Sequence, residues 1–302
     1  MSSYHVIVVG AGWYGIAAVR AYLQLAPKTS ILLIDNGDSL GGVWSKERVY
    51  PHLYANQPSP LFEYPDWSMK DALGIKDWED LSGETIAKYI DLYCAKFRIK
   101  EKARLGCNLE RVERAQDGKW RLSVTDVKDG KKEMLSCKKL VMALGFASVP
   151  KLPDFDTSKF SGQVFHMKEF GKRHQDIVAD RNIKNITVVG GAKSAWEASG
   201  LFALEGKNVN WMIREEGMGP ALMPRGRPDG KKHMLEGMNI RLMGLLAPTP
   251  FYPDWWLTRF LYGGGNWFGR WFEQNFWKFP LKADLKKLDI ATRKVLKPLS
   301  DR

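Results

Sequence analysis

Cysteine is scarce in this sequence. Cys94, Cys107 and Cys137 are the only three in 302 residues, and none stands in a C-x-x-C spacing. A disulfide framework is therefore excluded, and a reduced, intracellular, cytoplasmic setting fits best. No run of about 18 apolar residues occurs, so no transmembrane helix is expected. A β-forming segment starts at residue 4, which leaves no room for a signal peptide before it. Also missing are a nucleic-acid-binding motif, a Ser/His/Asp constellation and any cluster of metal-ligand type. Metal chemistry and nucleophilic hydrolysis are thus not expected.

The length is sufficient for two domains with buried cores. A hydrophobic content of 44% and a charged content of 26% are those of a soluble globular protein. The net charge of +12 is uneven, because Lys278 to Arg302 holds eight Lys/Arg against Asp284, Asp289 and Asp301. Diphosphate ligands account for part of it, and a basic tail of this kind reads first as a solvated face.

The most informative stretch runs from Tyr4 to Gly15. An apolar β-forming segment leads into Gly10-x-Gly12-x-x-Gly15, a helical pattern from Ile16 to Leu25 follows, and a second apolar strand, Ile31 to Ile34, ends on Asp35. Gly10 permits a tight turn, Gly12 lets the backbone approach a pyrophosphate, and Gly15 lets helix and strand pack closely. The helix N-terminus offers N–H groups and partial positive charge to phosphates. An acid at Asp35 stands where an adenosine ribose is held. This pattern predicts a dinucleotide site.

Further along, Gly41-Gly42-Val43-Trp44 permits backbone approach to a flat ligand, with Trp44 as a cover, and an irregular Pro- and aromatic-rich stretch extends from Tyr50 to Trp67. Asp80 to Phe97 has helical spacing (Ile86, Tyr89, Ile90, Tyr93, Phe97) after the entry Ser82-Gly-Glu-Thr85. Short strands are predicted at Leu105–Arg111, Trp120–Val127 and Met134–Cys137, with Asp129-Gly130 as a hairpin turn. A separate apolar strand is predicted from Lys139 to Gly145, before a crossover marked by Pro150 and Pro153.

Asn185 to Ala195 repeats the opening pattern of apolar strand, glycine turn and helix start. The strand from Val209 to Ile213 ends on Arg214. An acid at this place prefers a free ribose hydroxyl, whereas a cation prefers a 2′-phosphate. Two sites of opposite end-charge point to FAD in the first and NADPH in the second. From Phe251 to Pro280 stand five Trp, six Phe and two Tyr. Such density suits a membrane-interface segment, a channel lining or a core of large side chains; buried or channel-lining aromatics are favoured. Leu281 to Leu296 reads as a basic helix.

Together these residues resemble the flavin-containing (class B) monooxygenases, in particular a fungal secondary-metabolism branch. Phe160-x-Gly162-x-x-x-His166-x-x-x-Phe170 matches the fingerprint of that class between the two nucleotide motifs. Gly41 to Trp44 matches its second FAD motif, and Asn56 matches an asparagine placed near flavin and nicotinamide. Ala143-Leu-Gly145 is similar to its hinge strand. The resemblance implies an α/β fold of two Rossmann-like dinucleotide-binding domains of three-layer ββα type. Residues 1–150 would form the FAD domain, 151–180 a linker carrying the fingerprint, and 181–302 the NADPH domain with the aromatic-rich insertion 251–280. Relative to the family, the FAD domain looks incomplete at its C-terminal end.

The implied function is insertion of one oxygen atom from O2 into a small organic molecule, large and apolar or polycyclic, through a C4a-hydroperoxyflavin. The cofactor-binding residues would be Gly10, Gly12, Trp13, Gly15, Asp35, Gly41, Gly42, Trp44, Asn56, Gly190, Lys193, Ser194 and Arg214. Asn56 would be the catalytic residue, guarding the oxygenated flavin. In the second turn Ala192 replaces the family's glycine, and Lys193 and Ser194 add phosphate contacts. The alternative is a repurposed member acting as a non-redox catalyst or binding partner. Paired cysteines are absent between Gly15 and Trp67, which argues against a disulfide reductase. Substrate and O2 are the expected partners; a membrane surface met by 251–280 and a second chain completing the FAD domain stay open.

Overall fold

The computed structural model describes residues 2–145, 148–154, 156–214, 235–236, 256–262 and 266–275. Two compact units divide the chain, Met1–Met212 and Ile213–Arg302.

In the first unit, β1 (Ser2–Val9), β2 (Ile31–Ile34), β3 (Ala103–Arg104), β4 (Cys107–Arg114), β5 (Trp120–Asp126) and β6 (Lys132–Met142) form one sheet in the order β3-β2-β1-β6-β5-β4. The first four in that order run parallel, and β6, β5 and β4 run antiparallel. Strand alternation then sorts the side chains. Val6, Val8, Ile31 and Leu33 join the core shared with α1 (Trp13–Leu25), the short α2 (Met69–Leu73) and α3 (Gly83–Lys96). Ile7, Val9, Leu32 and Ile34 join Leu122, Val124 and Leu135 on the opposite face. β1 is buried on both faces, which is why its sequence is a continuous apolar run without alternation. Helices thus cover one face of the parallel strands, and side chains from the antiparallel end of the same sheet cover the other.

The predicted helix begins where its cap signal stands. The Ser82 hydroxyl accepts the Thr85 N–H at 3.1 Å, and Ile86, Tyr89, Ile90 and Tyr93 are all at most 1% exposed. The hairpin turn at Asp129-Gly130 also forms, with Gly130 at φ +70°. One expectation fails. Met134–Cys137 and Lys139–Met142 are not separate strands but parts of the single strand β6, which ends before Ala143–Gly145. Lys138, which separates the two predicted stretches, is an exposed charge on a strand whose backbone continues along β1.

The irregular stretch Tyr50–Trp67 is held by aromatic packing. Trp13 stacks on Tyr64 at 4.3 Å, and Tyr64 stacks on Tyr93 at 4.2 Å. The Tyr64 hydroxyl donates to the Trp13 carbonyl at 2.7 Å, and the Tyr93 hydroxyl donates to Asp66 at 2.6 Å. A loop without regular structure is thereby fixed beside the first glycine turn.

A second, two-stranded parallel sheet contains β7 (Asn185–Val189) and β8 (Asn208–Met212), connected through α5 (Lys193–Leu204). Helix α4 (Phe170–Ala179) adds Phe170 and Ile177 to Tyr50, Leu53, Val188, Ala198 and Phe202 in one buried cluster.

In the second unit, helices Trp256–Tyr262 and Trp267–Asn275 pack closely at Gly269, where a Cβ would lie 2.6 Å from the Phe260 carbonyl oxygen. Of the aromatics in 251–280, Trp256, Phe260, Tyr262, Trp267, Phe268, Trp271 and Phe272 lie among the described residues. Trp256 is 66% exposed and Trp267 is 74% exposed. Helices of about two turns each bury only one stripe, and Leu261 occupies it. The predicted basic helix Leu281 to Leu296 lies outside the described residues. Among the described residues, no helix is long and apolar enough to cross a membrane.

Candidate dinucleotide sites

The first glycine turn is built on two backbone contacts that exclude side chains. Gly10 has φ +104°, and a Cβ on it would lie 2.3 Å from the Ala143 carbonyl oxygen at the end of β6. A Cβ on Gly15 would lie 1.7 Å from the Gly10 oxygen. Gly12 differs: its nearest neighbour would be the Gly42 Cα at 3.8 Å, an ordinary contact. Its freedom from crowding leaves space over the backbone. Gly12 is also the N-cap of α1 and brings no capping side chain, so the first-turn N–H groups stay open to an anion.

The second motif sits against the first. Gly41 donates its N–H to the Ala11 carbonyl at 2.8 Å. Gly41 and Gly42 both have positive φ, and a Cβ on Gly42 would lie 2.9 Å from the Gly12 Cα. Two glycine-lined backbones thus face each other, forming a cradle that any Cβ would begin to fill.

Asp35 accepts the Ala11 N–H and the Gly37 N–H, each at 2.7 Å, one on each carboxylate oxygen. It braces the turn, and each oxygen retains a further lone pair for a ribose hydroxyl. Glu47 performs the same task one loop later, accepting from Ser39 Oγ and from the Asp38 N–H at 3.2 Å. Burial raises its carboxyl, but the Ser39 hydroxyl and nearby backbone N–H groups outweigh this and hold it below the usual carboxylate range.

Trp13 presents its backbone to the turn while its ring belongs to the aromatic stack. Trp44 is half-buried and meets Phe62 edge-on at 5.5 Å. Asn56 is exposed.

At the second turn Gly190 has φ +136°. Its N–H donates to the Met212 carbonyl at 2.9 Å, and its own carbonyl accepts the Trp211 indole N–H at 2.6 Å. Ala192 caps α5 without a side-chain hydrogen bond. Ser194 is exposed, and Arg214 follows β8 in the chain as an exposed side chain. Lys193 makes two contacts: its Nζ donates to Glu197 at 2.6 Å and to the Tyr54 carbonyl at 2.5 Å. Glu197 also accepts the Tyr50 hydroxyl at 2.9 Å.

The fingerprint segment serves as a joint. His166 Nδ1 accepts the Lys168 N–H at 3.1 Å and so closes the turn before α4. Phe170, 1% exposed, meets Tyr50 edge-on at 4.8 Å and Phe202 at 5.4 Å. Gly171 packs against the backbone of Glu47 and Arg48. Sequence reasoning missed Tyr50, Glu47, Gly171, Glu197 and Trp211. Only Gly171 had a signal, a glycine directly after the fingerprint.

A glycine turn beneath a helix N-terminus, made twice in one chain, with an acid after the first unit's second strand, defines a two-dinucleotide flavoprotein fold. Residues 7–239 match the pyridine nucleotide-disulphide oxidoreductase family, and the chain belongs to that family. It is similar to the FAD-dependent monooxygenase DEP4 of Alternaria brassicicola, with 41% identity over 223 residues covering 73% of this chain and 37% of the relative. Among solved structures it is similar to Tmm from Pelagibacter sp. strain HTCC7211 (TM-score 0.59, 25% identity, 72% of this chain and 52% of that one). The fold is shared with OTEMO in complex with FAD and NADP (TM-score 0.59, 20% identity, 70% of this chain and 39% of that one). The chain spans less than half the length of the curated relatives it matches first. Cys94, Cys107 and Cys137 are all buried and unpaired.

Proposed function

We propose that the protein is an FAD- and NADPH-dependent monooxygenase that transfers one atom of O2 to a large apolar or polycyclic organic substrate. The cradle between Gly12 and Gly42 carries this reading: two backbones meet where a diphosphate must pass, and a helix N-terminus opens onto it. Gly10, Gly12, Gly15, Gly41 and Gly42 give the ADP half of FAD its approach, Asp35 receives the ribose, and Trp44 and Asn56 stand toward the flavin ring. Gly190, Ser194 and the first-turn N–H groups of α5 receive the second diphosphate. Arg214 selects the 2′-phosphate. FAD supplies the redox and oxygen-activating chemistry when bound, and NADPH the hydride; the oxygen-transfer route implied by the resemblance belongs to this proposal. The chain's own residues orient the ligands and exclude water.

Purification followed by a visible spectrum, with and without NADPH under air, tests the proposal. A yellow protein that bleaches and then consumes oxygen supports it. A protein that stays colourless with added FAD overturns it.

Arg214→Ala is expected to raise the NADPH dissociation constant about ten- to a hundred-fold, the effect of one charge-assisted phosphate contact, and to leave NADH unchanged. Titration of both nucleotides checks this. Equal losses for both would remove Arg214 from the 2′-phosphate.

A further inference from the structure

Lys193 stands at the first position of α5, where sequence assigns it to phosphate, yet its ammonium group is already engaged. Two of its three protons point to the Glu197 carboxylate and the Tyr54 carbonyl. Glu197 is only 10% exposed in its side chain and is shared with the Tyr50 hydroxyl. Moving Lys193 to a phosphate would leave a shielded carboxylate without its cation, which is unfavourable. The other end of the contact is informative too. Tyr54 lies between Leu53, whose carbonyl accepts the Gly83 N–H at 2.7 Å, and Ala55, whose N–H donates to the Leu81 carbonyl at 2.8 Å. The segment is thus tied to the start of α3 on one side and, through Lys193, to the start of α5 on the other. Asn56 follows two residues later.

We propose that Lys193 is a positioning residue: with Glu197 and Tyr50 it pins the segment 50–56 to the first turn of α5, so that Asn56 is placed by the same turn that receives the nicotinamide dinucleotide. The dinucleotide part rests on the function proposed above; the pinning itself does not. Burial and the neighbouring Glu197 push the Tyr50 phenol well above its ordinary range, so it remains a donor at any working pH. Occupation of the second site and order in the Asn56 loop are therefore coupled through one shared lysine.

The test uses Lys193→Met, Glu197→Gln, the double variant and Lys193→Arg, with two readouts. Hydrogen exchange at the Ala55 amide is expected to speed up about tenfold in Lys193→Met and Glu197→Gln while β1 amides stay unchanged, and to return to the wild-type rate in Lys193→Arg. NADP+ titration is expected to weaken by the same factor in both single variants and no further in the double variant, because both act through one joint. Unchanged Ala55 exchange overturns the proposal. So does a loss of NADP+ affinity in Lys193→Met that Glu197→Gln does not share, since that marks a direct phosphate ligand. If the wild-type protein binds no NADP+, the dinucleotide reading fails while the exchange measurement still decides the joint.

Discussion

Gly15→Ala is expected to abolish the cooperative thermal transition of this protein, whereas Gly12→Ala three residues earlier is expected to keep the transition and lose FAD. The two glycines share a motif but not a physical role. A methyl group on Gly15 would sit 1.7 Å from the Gly10 oxygen and 2.9 Å from the Gly10 carbonyl carbon. Gly10 cannot retreat, since it is itself pressed against Ala143 at the end of β6. The closest contacts are with backbone, and the lost packing of α1 on β1 exceeds about 4–5 kcal/mol, a large fraction of the about 5–15 kcal/mol that stabilises a domain. At Gly12 the φ is −78°, which any residue adopts, and the nearest atom to a new Cβ is 3.8 Å away. The folded protein has space for that methyl group; a pyrophosphate crossing the same backbone does not. Circular-dichroism melting and the flavin absorbance of the purified variants separate the two effects. A normal melting curve for Gly15→Ala would sink the packing argument, and retained flavin in Gly12→Ala would sink the site.

Much of this was legible because it is local. A strand buried on both faces writes itself as a continuous apolar run, and a helix with one buried stripe writes itself at helical spacing. Gly10, Gly12 and Gly15 carry their roles in their spacing. The missed features depend on distance in space. Tyr50 meets Glu197 across 147 positions, and no periodicity reports which remote carboxylate a phenol will reach. Lys193 has the charge and the position of a phosphate ligand, yet a neighbour one helical turn away occupies it. Lys138 stood between two predicted strands, yet an exposed charge is compatible with an unbroken backbone. Trp13 carried a glycine-turn position and an aromatic ring, and the ring is taken up by the stack with Phe62 and Tyr64. The cradle of Gly12 on Gly42 was half legible: both motifs stood in the sequence, but not their mutual contact.

The second large effect is expected at Gly171, the residue directly after the fingerprint. A Cβ there would lie 2.5 Å from the Glu47 oxygen and 2.7 Å from the Arg48 carbonyl carbon. Neither is a flexible side-chain end, so α4 itself must move away. Phe170 then withdraws from Tyr50 and Phe202, and the Lys172–Asp38 ion pair at 2.9 Å is stretched. The ion pair is exposed and contributes little; overpacking and the disturbed Phe170 contacts dominate. Gly171→Ala is therefore expected to destabilise the protein by about 2–3 kcal/mol, lowering the melting temperature by roughly 5–10 °C. Gly200→Ala in α5 provides the control. It is the same chemical change in a helix, with nothing within 4 Å of the new methyl group, and it is expected to stabilise by about 0.5–1 kcal/mol through the lower entropy of the unfolded chain. Two glycine-to-alanine changes of opposite sign isolate contact from helix propensity. If Gly171→Ala melts with the wild type while Gly200→Ala rises, α4 does not depend on that close approach. The glycine directly after the fingerprint would then need another reason.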